Sequence, residues 1–179
     1  IELLVSQPIK RSKIWISLFI SLALSLIISF LIGSGIPLLI NAPNLNGIMM
    51  LLIGVLITAI FVSLAFLSAI FNRDKARGIG ASIVIWLFFA LIFDGMVLFL
   101  LFQFSDYPIE KPMIFVTSLS PIDLARIQML LHLDASAMMG YTGALFKEYF
   151  GNGIGIIISL LLLVLWVIIP FILSLKKFK

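Results

Sequence analysis

The chain has 179 residues, of which 63% are hydrophobic and only 11% are charged. Because a soluble domain carries about 25% charged residues, this composition predicts a membrane protein with several spans. The net charge of +4 does not indicate nucleic-acid binding, since most of the basic residues lie beside hydrophobic runs. The absence of cysteine excludes disulfides and thiolate metal sites, and the single histidine, His132, excludes a histidine-rich metal site.

The first stretch, Glu2–Lys13, is the only part of the first seventy residues that cannot lie in lipid. A short apolar turn is broken at Pro8, and Lys10 and Arg11 follow at the foot of a long uncharged run. Proline disfavours helical geometry at the residue before it and suits the first turn of a new helix. The pattern predicts an elbow at the cytoplasmic membrane surface. Two interpretations remain open, simple anchoring in the membrane and the docking of a soluble partner.

Four hydrophobic runs are long enough to cross a bilayer, which requires about 20 apolar residues. They cover approximately residues 14–36, 48–71, 79–104 and 154–175. Nine Lys and Arg residues fall on one side of these runs and three on the other, so both ends of the chain are predicted to lie in the cytoplasm.

The predicted fold class is therefore an all-α membrane protein that forms a single transmembrane domain over residues 1–179. Its predicted parts are an elbow (1–13), three spans (14–104), an external two-helix insertion (105–152) and the last span with a cytoplasmic tail (153–179).

The first predicted span carries a stripe of small residues at a spacing of four, Ser17, Ser21, Ser25, Ser29 and Gly33. Small residues let another helix backbone approach closely, and hydroxyl groups can form hydrogen bonds across the contact. The stripe predicts a helix-packing seam, and the alternative is a hydrophilic transport path.

Asp94 is an isolated acid inside the third predicted span. An acid in hydrocarbon costs several kcal/mol, so it should face the helix bundle or a water-filled cavity, or be protonated. Because the other three spans contain no basic residue, we expect its partner to be a hydroxyl, a backbone group or water. Asp94 has either a functional role, on a substrate path or in a gating hydrogen bond, or a structural one.

The segment between the third and fourth spans is too long for a simple connection and too apolar for a disordered loop. Ser120, Pro121 and Asp123 have the form of a helix start, and this helix should end by Gly140. A short second helix is predicted over residues 144–150. The pair is expected to dip into the outer leaflet against protein. Its polar residues are Ser120, Pro121, Asp123, Arg126, His132 and Asp134.

The sequence lacks a P-loop, a glycine-rich phosphate cradle and the motifs of metalloproteases and serine hydrolases. No residue pattern predicts a metal site, and the paired methionines are more typical of helix packing. If the protein moves a substrate with energy, we expect that energy to enter through a partner.

The elbow has the form Leu3-Leu4-x-Ser6-x-Pro8-Ile9-x-Arg11 and resembles the cytoplasmic coupling element of type-2 ABC exporter permeases. Four spans after the elbow, with an external helix pair before the last, are similar to the final four helices of that family. More narrowly, residues 119–126 and 138–143 resemble the NosY-type permeases of NosDFY systems. Those systems serve copper-centre assembly in nitrous oxide reductase.

This resemblance implies a permease homodimer in the bacterial inner membrane, with no cofactor of its own and with ATP bound by a separate NosF-like ATPase subunit. Ser6, Pro8, Lys10 and Arg11 would contact that subunit, and Ser120–Asp134 would face a periplasmic NosD-like partner. About two further N-terminal spans would precede the chain, which opens without Met. Two alternatives remain, an exporter permease for a lipid or drug and a membrane scaffold without transport.

Overall fold

The computed structural model describes residues 10–72, 74–104, 107, 110–132, 147 and 150–178. Within these ranges the chain is helical, and four helices are long and apolar enough to cross a membrane, as the sequence predicted. The four spans are α1 (Arg11–Asn41), α2 (Leu45–Phe71), α3 (Lys75–Leu100 as a span) and α6 (Gly153–Phe178). Helices α4 (Glu110–Ser118) and α5 (Pro121–His132) lie between the last two spans and form the insertion.

Helix α1 continues past Pro37, where the sequence analysis ended the span. Residues Leu31–Gly35 form a π-helical turn, in which the Ile36 N–H donates to the Leu31 carbonyl five residues earlier. A proline removes one backbone N–H and presses its ring against the preceding turn. A wider turn placed just before the proline relieves both constraints, so the helix runs on to Asn41.

Helix α3 contains a second π-helical turn, Phe88–Ile92, between its regular segments Lys75–Leu87 and Phe93–Gln103. The helix begins at Asp74, whose carboxylate accepts a hydrogen bond from the Ala76 N–H. An acid at this position satisfies one of the free N–H groups at the helix start. The π turn ends two residues before Asp94, which is the second residue of the third segment.

Helix α2 lies at the centre of the bundle and contacts α1, α3, α5 and α6, with its most extensive contact to α6. The main core joins α2, α5 and α6 through Ile53, Ile60, Leu124, Ile127 and Leu163, all of which are buried. Most large apolar side chains on the outer faces of α1, α3 and α6 are exposed in the isolated chain. Outward-facing apolar side chains of this kind suit contact with lipid, because lipid tails are as apolar as the side chains themselves.

Proline and serine shape the contact between α2 and α6. Pro170 lies inside α6 and leaves a carbonyl of the preceding turn without its usual partner. One turn away, the Ser63 hydroxyl of α2 donates to the Val167 carbonyl at 2.7 Å. A bend in a membrane helix is tolerated where neighbouring side chains supply hydrogen bonds to the loosened backbone.

The insertion differs in part from its predicted form. The start of α5 is confirmed, since Pro121 opens the helix and the Ser120 hydroxyl accepts a hydrogen bond from the Asp123 N–H at 3.2 Å. The preceding helix α4 was not predicted, and the two helices meet at an angle of 109°. The predicted extension towards Gly140 and most of the predicted helix 144–150 lie outside the described residues.

Candidate functional site at the basic end and the insertion

One end of each of the four spans lies at the basic end of the bundle. We define this end by Lys10, Arg11, Lys13, Lys75, Arg77, Lys176 and Lys177. Trp15 of α1 is buried there between α2 and α6. Its indole N–H donates to the Ser174 hydroxyl at 3.0 Å, and its ring stacks on Phe178 with centroids 4.4 Å apart. The Phe66 ring meets Trp15 edge to face, with ring centroids 4.9 Å apart. The start of α1 is therefore fixed to α2 and α6.

Two of the four predicted ATPase-contact residues can be placed. Lys10 and Arg11 stand exposed at the start of α1, one turn before Trp15. Ser6 and Pro8 lie outside the described residues. Lys10 and Arg11 thus add two exposed cations to the basic end at the start of α1.

The stripe of small residues on α1 faces outward. Ser17, Ser21, Ser25, Ser29 and Gly33 are all exposed. The Ser29 hydroxyl bonds to the Ser25 carbonyl of its own helix, and a Cβ added to Gly33 would meet no atom within 4 Å. The inner half of the stripe borders an open groove of about 440 Å³, lined by Lys13, Ile16, Ser17, Ile20 and Ser21. None of the described helices packs on this face, so the predicted seam stays a prediction.

Asp94 is paired with a basic residue. The Arg126 guanidinium of α5 donates to the Asp94 carboxylate at 2.7 Å, with the two side chains 45% and 34% exposed. The expectation that a hydroxyl, a backbone group or water would be the partner was therefore wrong. The other spans do lack basic residues, but the partner comes from the insertion, which the sequence analysis did not consider as a source of a partner for Asp94.

The ion pair shows how deeply the insertion sits beside α3. Asp94 lies nine residues before Gln103, the last residue of the helix, which corresponds to about 14 Å at the usual rise per residue. Insertion scales give an unpaired acid or Arg at the centre of a membrane helix a cost of about 2.5–3.5 kcal/mol. Contact between opposite charges offsets this cost for both residues. The position of Arg126 places α5 beside the membrane-spanning part of α3, and the expected dip into the outer leaflet stays a prediction.

Asp123 lies on the same helix as Arg126, one turn earlier, and is only 5% exposed. Its Oδ1 is 3.6 Å from the Arg126 guanidinium, whereas its Oδ2 is buried with no hydrogen-bond partner in the part of the chain that the structure describes. Burial raises the pKa of the Asp123 carboxyl, and the Ser120 hydroxyl, Arg126 and Asp94 modify that effect more weakly. The cluster therefore combines one paired acid, one cation close to both acids and one acid whose pKa is raised by burial.

Gln128 is a polar residue that the sequence analysis missed. It is 1% exposed, and among the described residues neither its amide oxygen nor its amide nitrogen has a hydrogen-bond partner. Leaving a buried polar group unpaired costs about 1–3 kcal/mol. The spacing of Leu124, Ile127, Gln128 and Leu131 marks one helix face, so the sequence does contain the signal for its burial.

The remaining predicted insertion residues are only partly placed. Ser120 and Pro121 are buried at the start of α5. His132 ends the helix, and its side chain lies outside the described part of the chain, as does all of Asp134. Among the described residues, no group of three or more His, Cys, Asp or Glu side chains comes together as a metal site would require.

Four apolar spans around a buried three-helix core, with an insertion held beside the third span, define a multi-pass α-helical membrane protein. The chain belongs to the ABC-2 family of transporter proteins. That family, described as "ABC-2 family transporter protein", matches it over residues 1–179. Among curated proteins, the chain is similar to the "Probable ABC transporter permease protein NosY" of Pseudomonas aeruginosa. The identity is 26% over 148 residues, which cover 77% of this chain and 54% of that relative. The chain thus spans about half the length of the relative it matches.

Proposed function

We propose that this chain is part of a permease whose movement is driven by ATP hydrolysis in a separate subunit, and that the complex serves copper-centre assembly in nitrous oxide reductase. The single observation that carries the proposal is the similarity to the NosY permease over 77% of the chain. Membership of the ABC-2 transporter family supports the coarser part, a permease working with an ABC ATPase in a membrane. The sequence itself contains no P-loop or comparable nucleotide-binding motif.

The path of movement begins at the elbow, residues 1–13. Lys10 and Arg11 are exposed, so they are available to acidic groups on an ATPase subunit. A partner can shift the permease only if it binds this surface differently in its two nucleotide states. The proposal therefore requires the ATPase subunit to bind the elbow more tightly in one nucleotide state than in the other.

From the elbow, contacts within the structure continue to the opposite end of the bundle. Trp15 ties the start of α1 to α6 through Ser174 and Phe178. Helices α2 and α6 in turn hold α5 through the core around Leu124 and Leu163. A displacement of α1 relative to α6 is thereby passed to the insertion by packed side chains, which is a physical route for coupling.

The partners follow from the same proposal. An ABC ATPase subunit of the NosF type would bind ATP at the cytoplasmic surface, and two copies of the permease would pair in the bacterial inner membrane. A NosD-like protein would meet the insertion from the periplasm. The asymmetry of Lys and Arg between the two ends of the bundle supports this orientation.

Deleting the full-length gene in its native host tests the proposal. We expect nitrous oxide reduction to fall, and the copper-centre absorption of the purified reductase to be lost, with both restored by the wild-type gene. An affinity tag on the restored protein should recover an ATPase subunit. Unchanged reductase in the deletion strain, with the ATPase still recovered, would favour an exporter for a lipid or drug. Loss of the reductase with no ATPase recovered would favour a scaffold without transport.

A further inference from the structure

The groove on α1 has the length of one membrane leaflet. It has a volume of about 440 Å³, and its lining residues share one face of the helix, Lys13, Ile16, Ser17, Ile20 and Ser21. The eight residues from Lys13 to Ser21 correspond to about 12 Å along the helix axis. The hydrocarbon core of a bilayer is about 30 Å thick, so each leaflet contributes about 15 Å. The groove therefore begins at the basic end and ends near the middle of the membrane.

The polar groups of the groove have no partner in the part of the chain that the structure describes. Lys13 is exposed, and both described ion pairs belong to Arg126 instead. Ser17 and Ser21 form no described hydrogen bond, whereas Ser29 on the same stripe bonds to a carbonyl of its own helix. A lysine at a membrane surface attracts anionic headgroups, and a free hydroxyl can donate to an ester carbonyl. The groove thus offers a cation at its mouth, and hydroxyl donors and an apolar wall deeper in.

The opposite face of the same helix turns is fixed to protein. Trp15 is buried, donates to the Ser174 hydroxyl and stacks on Phe178. Two residues correspond to slightly more than half a turn of helix, so Lys13 and Ser17 lie on the side of α1 away from Trp15. The first turns of α1 therefore have one face held by the bundle and one face open to the membrane.

Two features of the groove favour a lipid over another protein helix. A helix packed on the stripe would follow it to Gly33, about 30 Å from Lys13, whereas the groove ends at Ser21. Such a helix would also cover Lys13, and burying a cation without a partner is costly. A phospholipid instead brings an acyl chain of one leaflet's length together with a negative charge for Lys13.

We propose that the groove binds one anionic phospholipid of the leaflet at the basic end. The phosphate lies at Lys13, the Ser17 hydroxyl donates to an ester carbonyl, and one acyl chain runs past Ile16 and Ile20. The bound lipid covers the open face of α1 directly after the elbow. The site goes beyond the permease function proposed above and does not depend on what the permease transports.

Lipid binding to the full-length permease tests the site. The protein in a non-ionic detergent is titrated with phosphatidylglycerol or with phosphatidylcholine of the same acyl chains, and native mass spectrometry counts the lipids bound per protomer. We expect one phosphatidylglycerol to bind more tightly than phosphatidylcholine does. Lys13→Gln should weaken this binding about fivefold, the worth of one cation at an anionic membrane surface. Equal binding of the two lipids, or unchanged binding to Lys13→Gln, would overturn the site.

Matched variants separate the groove from diffuse surface charge. Lys75→Gln removes another exposed cation of the basic end, outside the groove, and should leave the tight binding unchanged. Ser21→Phe keeps every cation but fills the groove and should weaken the binding. Ser25→Phe places the same ring on the stripe beyond the groove and should not. Equal effects of the two lysine variants, or of the two phenylalanine variants, would overturn the site.

A crosslink identifies what covers the groove in a membrane. Ser17 is replaced by photoreactive benzoylphenylalanine in the full-length permease, which is placed in nanodiscs with equal amounts of the two lipids. Irradiation should give adducts with phosphatidylglycerol in excess over those with phosphatidylcholine. A crosslink to a peptide of the same chain, or of a second copy, would show that protein covers the groove and would refute the lipid site. Equal amounts of the two lipid adducts would show unselective lipid contact and would refute it as well.

Discussion

Gly54 of α2 offers a direct test of how α1 packs on the bundle. The Phe30 ring of α1 lies over this glycine in the space that a side chain would occupy. A Cβ added to Gly54 would be 2.8 Å from Phe30 Cε1, 3.2 Å from Cε2 and closer still to Cζ. Ordinary carbon–carbon contacts have an optimum of about 3.5–4.0 Å. In Gly54→Ala the ring must therefore move by about 1 Å or α1 must separate from α2.

The size of the effect follows from which group must move. Overpacking a well-packed contact costs about 1–3 kcal/mol. Because the nearest atoms belong to the far end of a half-buried ring rather than to backbone, we expect a value of about 1–2 kcal/mol, in the lower part of that range. Phe30→Leu replaces the ring by a shorter side chain and should relieve this overlap, so Gly54→Ala should hardly change the free energy of unfolding in a Phe30→Leu background.

Reversible unfolding of the full-length protein in mixed micelles provides the measurement. Gly80→Ala is the matched control, because a Cβ at Gly80 meets no atom within 4 Å, and it should change the free energy of unfolding by less than about 0.5 kcal/mol. The packing of α1 against α2 would be contradicted if Gly54→Ala changed the free energy of unfolding as little as Gly80→Ala does. It would also be contradicted if Gly54→Ala remained as destabilising in the Phe30→Leu background.

Three further predictions concern hydrogen bonding, the stripe and protonation. Ser63→Ala removes the hydrogen bond to the Val167 carbonyl and should lower the free energy of unfolding by about 0.6 kcal/mol, and by no more than about 1.7 kcal/mol. Ser29→Ala is the control and should leave the free energy of unfolding unchanged, because that hydroxyl bonds within its own helix. Gly33→Ala should leave the free energy of unfolding unchanged, because a Cβ there meets no atom within 4 Å. If the stripe packs against another helix, the same variant should lower the recovery of assembled complex on size-exclusion chromatography, and full recovery would refute the packing seam. Burial raises the pKa of Asp123 above its unfolded value, so the contribution of this carboxyl to stability should be fully present below the unfolded-state pKa and be lost as pH rises through the folded-state pKa. Asp123→Asn should remove this part of the pH dependence in unfolding measurements, and an unaltered profile would contradict it.

The spans were predictable from sequence because the bilayer imposes a simple physical requirement, a run of about 20 apolar residues. The start of α5 was predictable for a local reason, since a capping serine followed by proline specifies a helix start wherever it occurs. The continuation of α1 beyond Pro37 was not predictable from sequence, because it depends on a π turn that no residue pattern in the sequence indicates.

The partner of Asp94 could not be read from sequence for a different reason. Arg126 lies 32 residues away, in the insertion rather than in one of the predicted spans. Only the 109° bend between α4 and α5 brings that segment back against the third span. The burial of Gln128 has the same origin, because its face of α5 meets α2 and α6 only after the insertion has folded inward.

The central claim is that energy enters this membrane protein from a separate ATPase through residues 1–13. The most direct test is the ATP hydrolysis rate of the partner ATPase, measured in nanodiscs with the full-length permease and with its Lys10→Glu, Arg11→Glu variant. Lys75→Glu, Arg77→Glu is the matched control, since it reverses two other exposed cations at the same basic end. We predict that the wild-type permease and the control variant change the hydrolysis rate several-fold, and that the Lys10→Glu, Arg11→Glu variant loses this effect while still inserting into the membrane. Equal rates with the wild-type permease and the Lys10→Glu, Arg11→Glu variant would contradict the account.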